Sequence, residues 1–212
     1  MILTACKRGD KIILPRNVHR SAINAMILCG AIPIYINPQM DKQLGISLGM
    51  SVEEVKKAIR ENPDAKAVLV NNPTYYGICS NLKEIIKVAH EHNMLVLADE
   101  AHGTHFYFNK RLPIAAIHAG ADMAAVSMHK SGGSLTQSSF LLTGKNVKAG
   151  YVHQIINFSF NFSTIISAAS AGSTSNTFPA AFAPLVNDFH TRVGDPFKPS
   201  FSSEYFLSLI WQ

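Results

Sequence analysis

Short apolar runs and amphipathic runs alternate along the first two thirds of the chain. Runs rich in β-branched and aliphatic residues predict six strands, at residues 11–15, 31–36, 65–71, 94–99, 123–128 and 139–143. Three amphipathic runs with apolar positions at helical spacing predict helices at residues 19–29, 51–62 and 81–93. Strands separated by helices imply βαβ units. We therefore expect an α/β fold with a mostly parallel sheet and helices on both of its faces.

Local signals mark the ends of these predicted helices. Ser51 and Glu54 have the spacing of a capping box at the start of one helix, and Asn81 is the predicted cap of another. Gly30 is predicted to end the helix at 19–29, because glycine readily adopts the left-handed conformation of a helix C-terminus. The residues after Met1 are consistent with the last turn of a helix that leads into the first strand.

The last part of the chain has a different composition. No Asp, Glu, Lys or Arg occurs between Lys148 and Asp188, and nine of the twelve phenylalanines lie from Phe158 onward. Residues 157–212 show no sustained helical or strand period, so the sequence assigns this Ser- and Phe-rich tail to no fold. We expect residues 1–156 to form one partial domain, and we attribute the tail to a frameshift or a similar change.

Composition and charge exclude several classes of protein. The chain is 47% hydrophobic and 16% charged, which is typical of a globular domain. Its net charge is +5, but the basic residues are scattered, so nucleic-acid binding is not expected. The three cysteines are odd in number and widely spaced, which argues against a disulfide framework and indicates a reducing, cytoplasmic compartment. They form no CxxC pair, so no zinc site is expected. The sequence shows neither a signal peptide nor an apolar stretch of about 18 residues, so no membrane association is expected.

Residues that can carry chemistry follow two neighbouring predicted strands. DEAHG occupies residues 99–103 and SMHK residues 127–130, so that Asp99 and Lys130 are 31 residues apart. That separation is about one βαβ unit, which would bring both to the edge of the sheet where ligands of such folds bind. Pyridoxal-phosphate (PLP) chemistry uses this pair, because a lysine amine forms the Schiff base and a carboxylate holds a proton on the pyridine nitrogen. Spacing alone leaves a helix-capping Asp99 and a solvated surface Lys130 as alternatives.

Several segments, taken in order along the chain, resemble the major domain of the Orn/Lys/Arg decarboxylases, which are fold-type I PLP-dependent enzymes. These segments are PRNVHRS at 15–21, PTYYG at 73–77, DEAHG at 99–103, SMHK at 127–130 and LTQ at 135–137. The resemblance covers residues 1–156 and implies a partial PLP-transferase-like large domain. By this comparison the chain is a fragment, because the family's phosphate-binding loop precedes the segment at Met1 and a small C-terminal domain follows.

The resemblance also implies a function. The implied function is that of a lyase, namely a PLP-dependent decarboxylase of arginine, lysine or ornithine that acts in polyamine metabolism. The expected cofactor is pyridoxal 5′-phosphate, the expected partner is a small amino-acid substrate, and intact members of the family form homodimers or higher homo-oligomers. Two alternatives remain open. One is another fold-type I enzyme, an aminotransferase or a carbon–sulfur lyase, and the other is a catalytically inactive remnant.

Individual residues acquire roles through the same resemblance. Lys130 is similar to the Schiff-base lysine, and Asp99 to the aspartate that pairs with the pyridine nitrogen. His19 is similar to the histidine that stacks on the cofactor ring, although its position also suits the start of a helix. Ala101 corresponds to the small residue against the opposite face of that ring.

Three further positions correspond to residues of the family's site. Ser127 and His129 match residues near the phosphate or next to the Schiff base, and His102 matches a position close to the substrate. A polar residue at a strand end is the simpler reading of His129. His102 and His105 have a spacing that metal ligands share, but no third ligand is evident, so no metal is expected.

Overall fold

The computed structural model describes residues 1–135, 138–145 and 147, and the backbone of a strand at 206–210. The helices are α1 (Ile2–Ala5), α2 (Arg20–Cys29), α3 (Val52–Glu61), α4 (Leu82–Glu91), α5 (Ala116–Ala119) and α6 (Met128–Ser131), with a 3-10 turn at Thr104–Tyr107. The strands are β1 (Lys11–Pro15), β2 (Ile32–Ile36), β3 (Gln39–Asp41), β4 (Ile46–Gly49), β5 (Ala67–Asn71), β6 (Leu95–Asp99), β7 (Met123–Ser127), β8 (Ser138–Thr143) and β9 (Phe206–Ile210). No helix in these ranges has the length and apolarity needed to cross a membrane.

One seven-stranded sheet organises the fold. Its strand order is β2-β1-β5-β6-β7-β8-β9, and β3 and β4 form a separate antiparallel hairpin. The pairs from β2 to β7 are parallel, whereas β8 and β9 are antiparallel to their neighbours. The predicted α/β fold with a mostly parallel sheet is therefore confirmed.

Alternate residues of each central strand pack against helices on opposite faces of the sheet. On one face, Ile12 and Leu97 pack in a cluster with Met26 of α2. On the other face, Val68 packs in a cluster with Ile85 of α4. Because side chains alternate along a strand, a strand buried on both faces needs a continuous apolar run, which is what the sequence contains. Helices on both faces are confirmed.

The three predicted helix ends lie at the predicted residues, and two of them show the expected hydrogen bond. The Ser51 hydroxyl accepts a hydrogen bond from the Glu54 amide at 3.1 Å. Gly30 ends α2 with φ 70° and donates its N–H to the Met26 carbonyl. Asn81 is the N-cap residue of α4, as predicted, but its side chain makes no capping hydrogen bond. The backbone ψ of Asn81 is 75°. Ser51 has an extended ψ of 146°, which directs its hydroxyl toward the first amides of its helix.

The last part of the sequence is described only in part. Of residues 157–212, the structure describes β9, which pairs with β8. The rest of the tail lies outside the described residues, as do Thr136 and Gln137 of the quoted LTQ segment. The domain boundary at residue 156 stays a prediction.

Candidate active site

The candidate site lies where parallel strands β5, β6 and β7 end side by side. In the sheet register Asp99, the last residue of β6, pairs with Asn71 of β5 and with Ala125 of β7. Helix α6 begins directly after β7 and carries Lys130. The two strands that deliver the acid and the amine are therefore direct neighbours, whereas the spacing along the sequence predicted only that both reach the same edge of the sheet.

His102 and Lys130 are in direct contact. The Lys130 Nζ lies 3.3 Å from the His102 Nε2. An ammonium can only donate, so the imidazole nitrogen is the acceptor. The Ser131 hydroxyl donates to the His102 carbonyl at 3.5 Å, and the Tyr75 ring meets the imidazole edge-on with centroids 5.6 Å apart. These contacts tie the turn after β6 to helix α6 and to the loop after β5.

Burial and the charge of Lys130 favour the neutral form of His102. Burial lowers the pKa of His102, the positive charge of Lys130 lowers it further, and the carboxylate of Asp99 acts in the opposite direction. Both charged groups are thus near enough to act on one imidazole. The structure brings together an amine, a carboxylate and a neutral imidazole, three of the residues that the sequence singled out.

Asp99 lies on the face of the sheet that helices α1 and α2 cover. Leu97 belongs to the cluster on that face, and strand alternation places Asp99 on the same side. Ala125 and Ser127 also lie on this face, because Met123 of the same strand belongs to this cluster and side chains alternate along β7. Asp99, Ala125 and Ser127 are half-buried, whereas Leu97 and Met123, earlier on the same face of these strands, are fully buried.

His19 caps the first turn of α2, which packs on the same face. Its Nδ1 accepts a hydrogen bond from the Ser21 amide at 3.2 Å and lies 2.8 Å from the Ser21 hydroxyl. The simpler interpretation, that His19 begins a helix, is therefore what the structure shows. A role in stacking on a cofactor stays a prediction.

Ala101 and His129 directly precede His102 and Lys130 in the sequence. The Ala101 amide donates to the Asp99 Oδ1 at 3.2 Å, so Ala101 follows the carboxylate closely. The exposed His129 donates from Nδ1 to the Ser138 carbonyl at 2.8 Å and is thereby directed toward β8. His105 is exposed, and its ring meets the Phe106 ring edge-on at a centroid distance of 4.5 Å. The described part of the chain contains no group of three or more His, Cys, Asp or Glu side chains placed to hold a metal.

Glu100 is a buried carboxyl group that sequence reasoning passed over. Its side chain is fully buried and accepts hydrogen bonds from the Tyr107 hydroxyl at 2.7 Å and from the Ala116 amide at 2.8 Å. Burial raises the pKa of Glu100 to about 7, against the effect of these two hydrogen bonds. Strand alternation was the available signal, because a residue next to Asp99 must face the opposite side of the sheet.

The fold is that of fold-type I PLP-dependent enzymes. A PLP-bound putative aminotransferase from Clostridium difficile aligns with a TM-score of 0.59 and 17% identity, over 77% of this chain and 43% of that one. A complex of SepCysS with the SepCysE N-terminal domain aligns with a TM-score of 0.56 and 20% identity, over 68% of this chain and 38% of that one. At such identities the likeness concerns the fold alone.

The chain belongs to the Orn/Lys/Arg decarboxylase family, whose major domain it matches over residues 1–183. It is 52% identical over 152 residues to an arginine decarboxylase of Bacillus subtilis, which is 72% of this chain and 30% of that protein. It is 50% identical over 175 residues to an arginine decarboxylase of Halalkalibacterium halodurans, over 82% of this chain and 34% of that protein. The chain therefore spans about a third of the length of these relatives, and the family match continues beyond residue 156.

Proposed function

We propose that this chain carries the cofactor-binding part of a PLP-dependent decarboxylase of a basic amino acid. The observation that carries the proposal is the 3.3 Å contact between Lys130 and His102 at the edge of the parallel sheet where Asp99 ends β6, with both charged groups acting on the same imidazole. Arginine is the first substrate to test, because two similar relatives are arginine decarboxylases. Lysine and ornithine are the other members of the class.

The residues present fit PLP. The cofactor needs an amine for its aldehyde, an acid for its pyridine nitrogen and an open surface for a flat ring. Lys130 and Asp99 are the amine and the acid. Ala125 pairs with Asp99 in the sheet register, and its side chain is small and half-buried, as a surface that receives a flat ring requires.

Each residue has a separate task in this proposal. Lys130 would supply the amine for the aldehyde of PLP, Asp99 would hold the proton of its pyridine nitrogen, and His19 and Ala101 would contact its ring. Ser127 and His129 serve the phosphate end or the neighbourhood of Lys130. When bound, PLP supplies an acceptor for the electron pair that remains after carbon dioxide leaves.

In this proposal, His102 holds the Lys130 amine in position through a hydrogen bond. As a neutral imidazole, it accepts a hydrogen bond from the Lys130 ammonium at 3.3 Å without adding a second positive charge. Hydrogen bonds to a charged group contribute about 1.5–3 kcal/mol when they are well formed. At the open edge of the sheet, His102 is also placed to contact an amino-acid substrate beside Lys130.

Titration with PLP tests the cofactor site. Lysine-bound PLP absorbs visible light, so we expect the wild-type chain to develop a saturable visible band that Lys130→Ala abolishes. Asp99→Asn removes the negative charge at the pyridine nitrogen and should weaken or shift that band. Lys83→Ala is the matched control, because Lys83 is exposed on α4. A band of equal strength in Lys130→Ala would contradict the proposal.

Release of carbon dioxide from arginine, lysine and ornithine then tests the reaction. A decarboxylase releases carbon dioxide, whereas an aminotransferase passes the amino group to a keto acid. A chain that binds PLP at Lys130 and performs neither reaction is the inactive alternative. Each outcome selects one of the three interpretations.

We further propose that the protein acts in the cytoplasm, in polyamine formation, as a homo-oligomer. Support for the compartment comes from the cysteines Cys6, Cys29 and Cys79, all of which are free. Burial raises the pKa of Cys6 to about 12, which keeps this thiol unreactive.

Sedimentation analysis would test the proposed homo-oligomer, and a purely monomeric protein at micromolar concentration would contradict it.

A further inference from the structure

Glu100 ties the turn after β6 to the opposite side of the sheet. Its two carboxylate oxygens each accept one hydrogen bond, from Tyr107 of the 3-10 turn and from the Ala116 amide at the start of α5. The side chain is fully buried, so water cannot replace either donor. The carboxyl group therefore joins three segments that are separated along the chain.

The turn after β6 packs closely against the Glu100 side chain. The Gly103 amide donates to the Glu100 carbonyl at 2.8 Å, and a Cβ at position 103 would lie 2.4 Å from the Glu100 Cγ. The Thr104 hydroxyl donates to the Ser127 carbonyl at 3.1 Å, directly before the helix that carries Lys130. His102 is thus held between Glu100 on one side and the end of β7 on the other.

We propose that Glu100 is the positioning residue of the site, and that its buried hydrogen bonds set the contact between the His102 imidazole and the Lys130 amine. Glu100 lies next to Asp99 but faces the other side of the strand, so it acts through the turn and does not touch the amine. The catalytic meaning of this contact rests on the proposed function. The contact itself does not depend on the cofactor.

Hydrogen bonding, not charge, does the positioning. The ionised carboxylate accepts from both donors, and the protonated acid can accept from Ala116 and donate to the Tyr107 oxygen. Glutamine has the same shape and the same capacity to accept at one end and donate at the other. Glu100→Gln should therefore keep the turn in place, whereas Glu100→Ala should release it.

The pKa of His102, measured by NMR on histidine-labelled protein without PLP, reports the contact. His102→Gln assigns the signal among the nine histidines. In wild type this pKa is depressed by burial and by Lys130. We expect Glu100→Ala to raise it and Glu100→Gln to leave it close to the wild-type value.

Asp122→Ala is the matched control for general destabilisation. Asp122 is also buried, accepts from the Val96 amide and from His90, and lies at the opposite edge of the sheet. We expect Asp122→Ala to lower stability without moving the pKa of His102. An unchanged His102 pKa in folded Glu100→Ala, or an equal shift in Asp122→Ala, would overturn the proposal. If Glu100→Ala does not fold, Tyr107→Phe decides, with a partial rise expected and no rise overturning the proposal.

Borohydride reduction with PLP separates this inference from the proposed function. If Lys130 takes up no PLP but the His102 pKa responds as expected, the proposed function fails and the positioning role stands. If Lys130 is labelled but the His102 pKa does not respond to Glu100→Ala, the positioning role fails alone.

Discussion

Replacement of Glu100 by glutamine should change how stability depends on pH. In the unfolded chain this carboxyl group has its ordinary pKa of 4.5, whereas in the fold burial raises it to about 7. Between these values the folded protein binds a proton that the unfolded chain has released, so a rise in pH disfavours folding. The contribution of Glu100 is most favourable below pH 4.5 and is lost as the pH rises through 7.

The size of the effect follows from the shift in pKa. The rise in the Glu100 pKa from 4.5 to about 7 corresponds, at 1.36 kcal/mol per pKa unit, to about 3 kcal/mol of unfolding free energy between low and high pH. Glutamine does not titrate, so the difference in unfolding free energy between Glu100→Gln and wild type isolates this term from all other titrations.

Urea unfolding followed by circular dichroism at several pH values between 4.5 and 8 measures this difference. We expect it to move in favour of the Glu100→Gln variant by about 3 kcal/mol from the lowest to the highest pH. Glu84→Gln is the control, because Glu84 is exposed on α4, and its difference from wild type should stay nearly constant. A difference for Glu100→Gln that varies by less than about 0.5 kcal/mol would refute burial as the cause.

Three further predictions test other parts of the fold and the site. Lys130→Gln removes a positive charge beside His102, so NMR titration should show a higher His102 pKa, and a lower value would contradict the contact. Gly103→Ala places a methyl group 2.4 Å from a buried side-chain carbon, so urea unfolding should show a loss of about 1–3 kcal/mol, and an unchanged midpoint would mean that the turn can relax. Ser51→Ala should cost about 1 kcal/mol because a capping bond is lost, whereas Asn81→Ala should cost much less; equal losses would contradict the observed caps.

The sheet could be predicted from the sequence because its central strands are buried on both faces. Continuous apolar runs at β1 and β5 to β7 predicted the strands to within two residues. The predicted starts at Ala65 and Met94 are early because both side chains are buried before strand pairing begins. The hairpin of β3 and β4 was missed, because Gln39 and Met40 are exposed and the strands are too short to show a period.

The candidate site was predictable only as far as topology determines it. Parallel pairing of β6 and β7 follows from the βαβ pattern and brings Asp99 and Lys130 to one edge. The contact between His102 and Lys130 depends on the path of a tight turn, which spacing along the chain does not encode. Strand alternation could have indicated that Glu100 faces the side opposite Asp99, but its hydrogen-bond partners lie in the turn and on α5, a helix of four residues with no recognisable signal.

Peptide mapping after borohydride reduction of the protein with PLP tests the central claim most directly. We expect a stable PLP mass on Lys130 that exceeds the label on any other lysine and that falls when Asp99 is replaced by asparagine. Uniform labelling of surface lysines, with none in excess on Lys130, would contradict the assignment of this site.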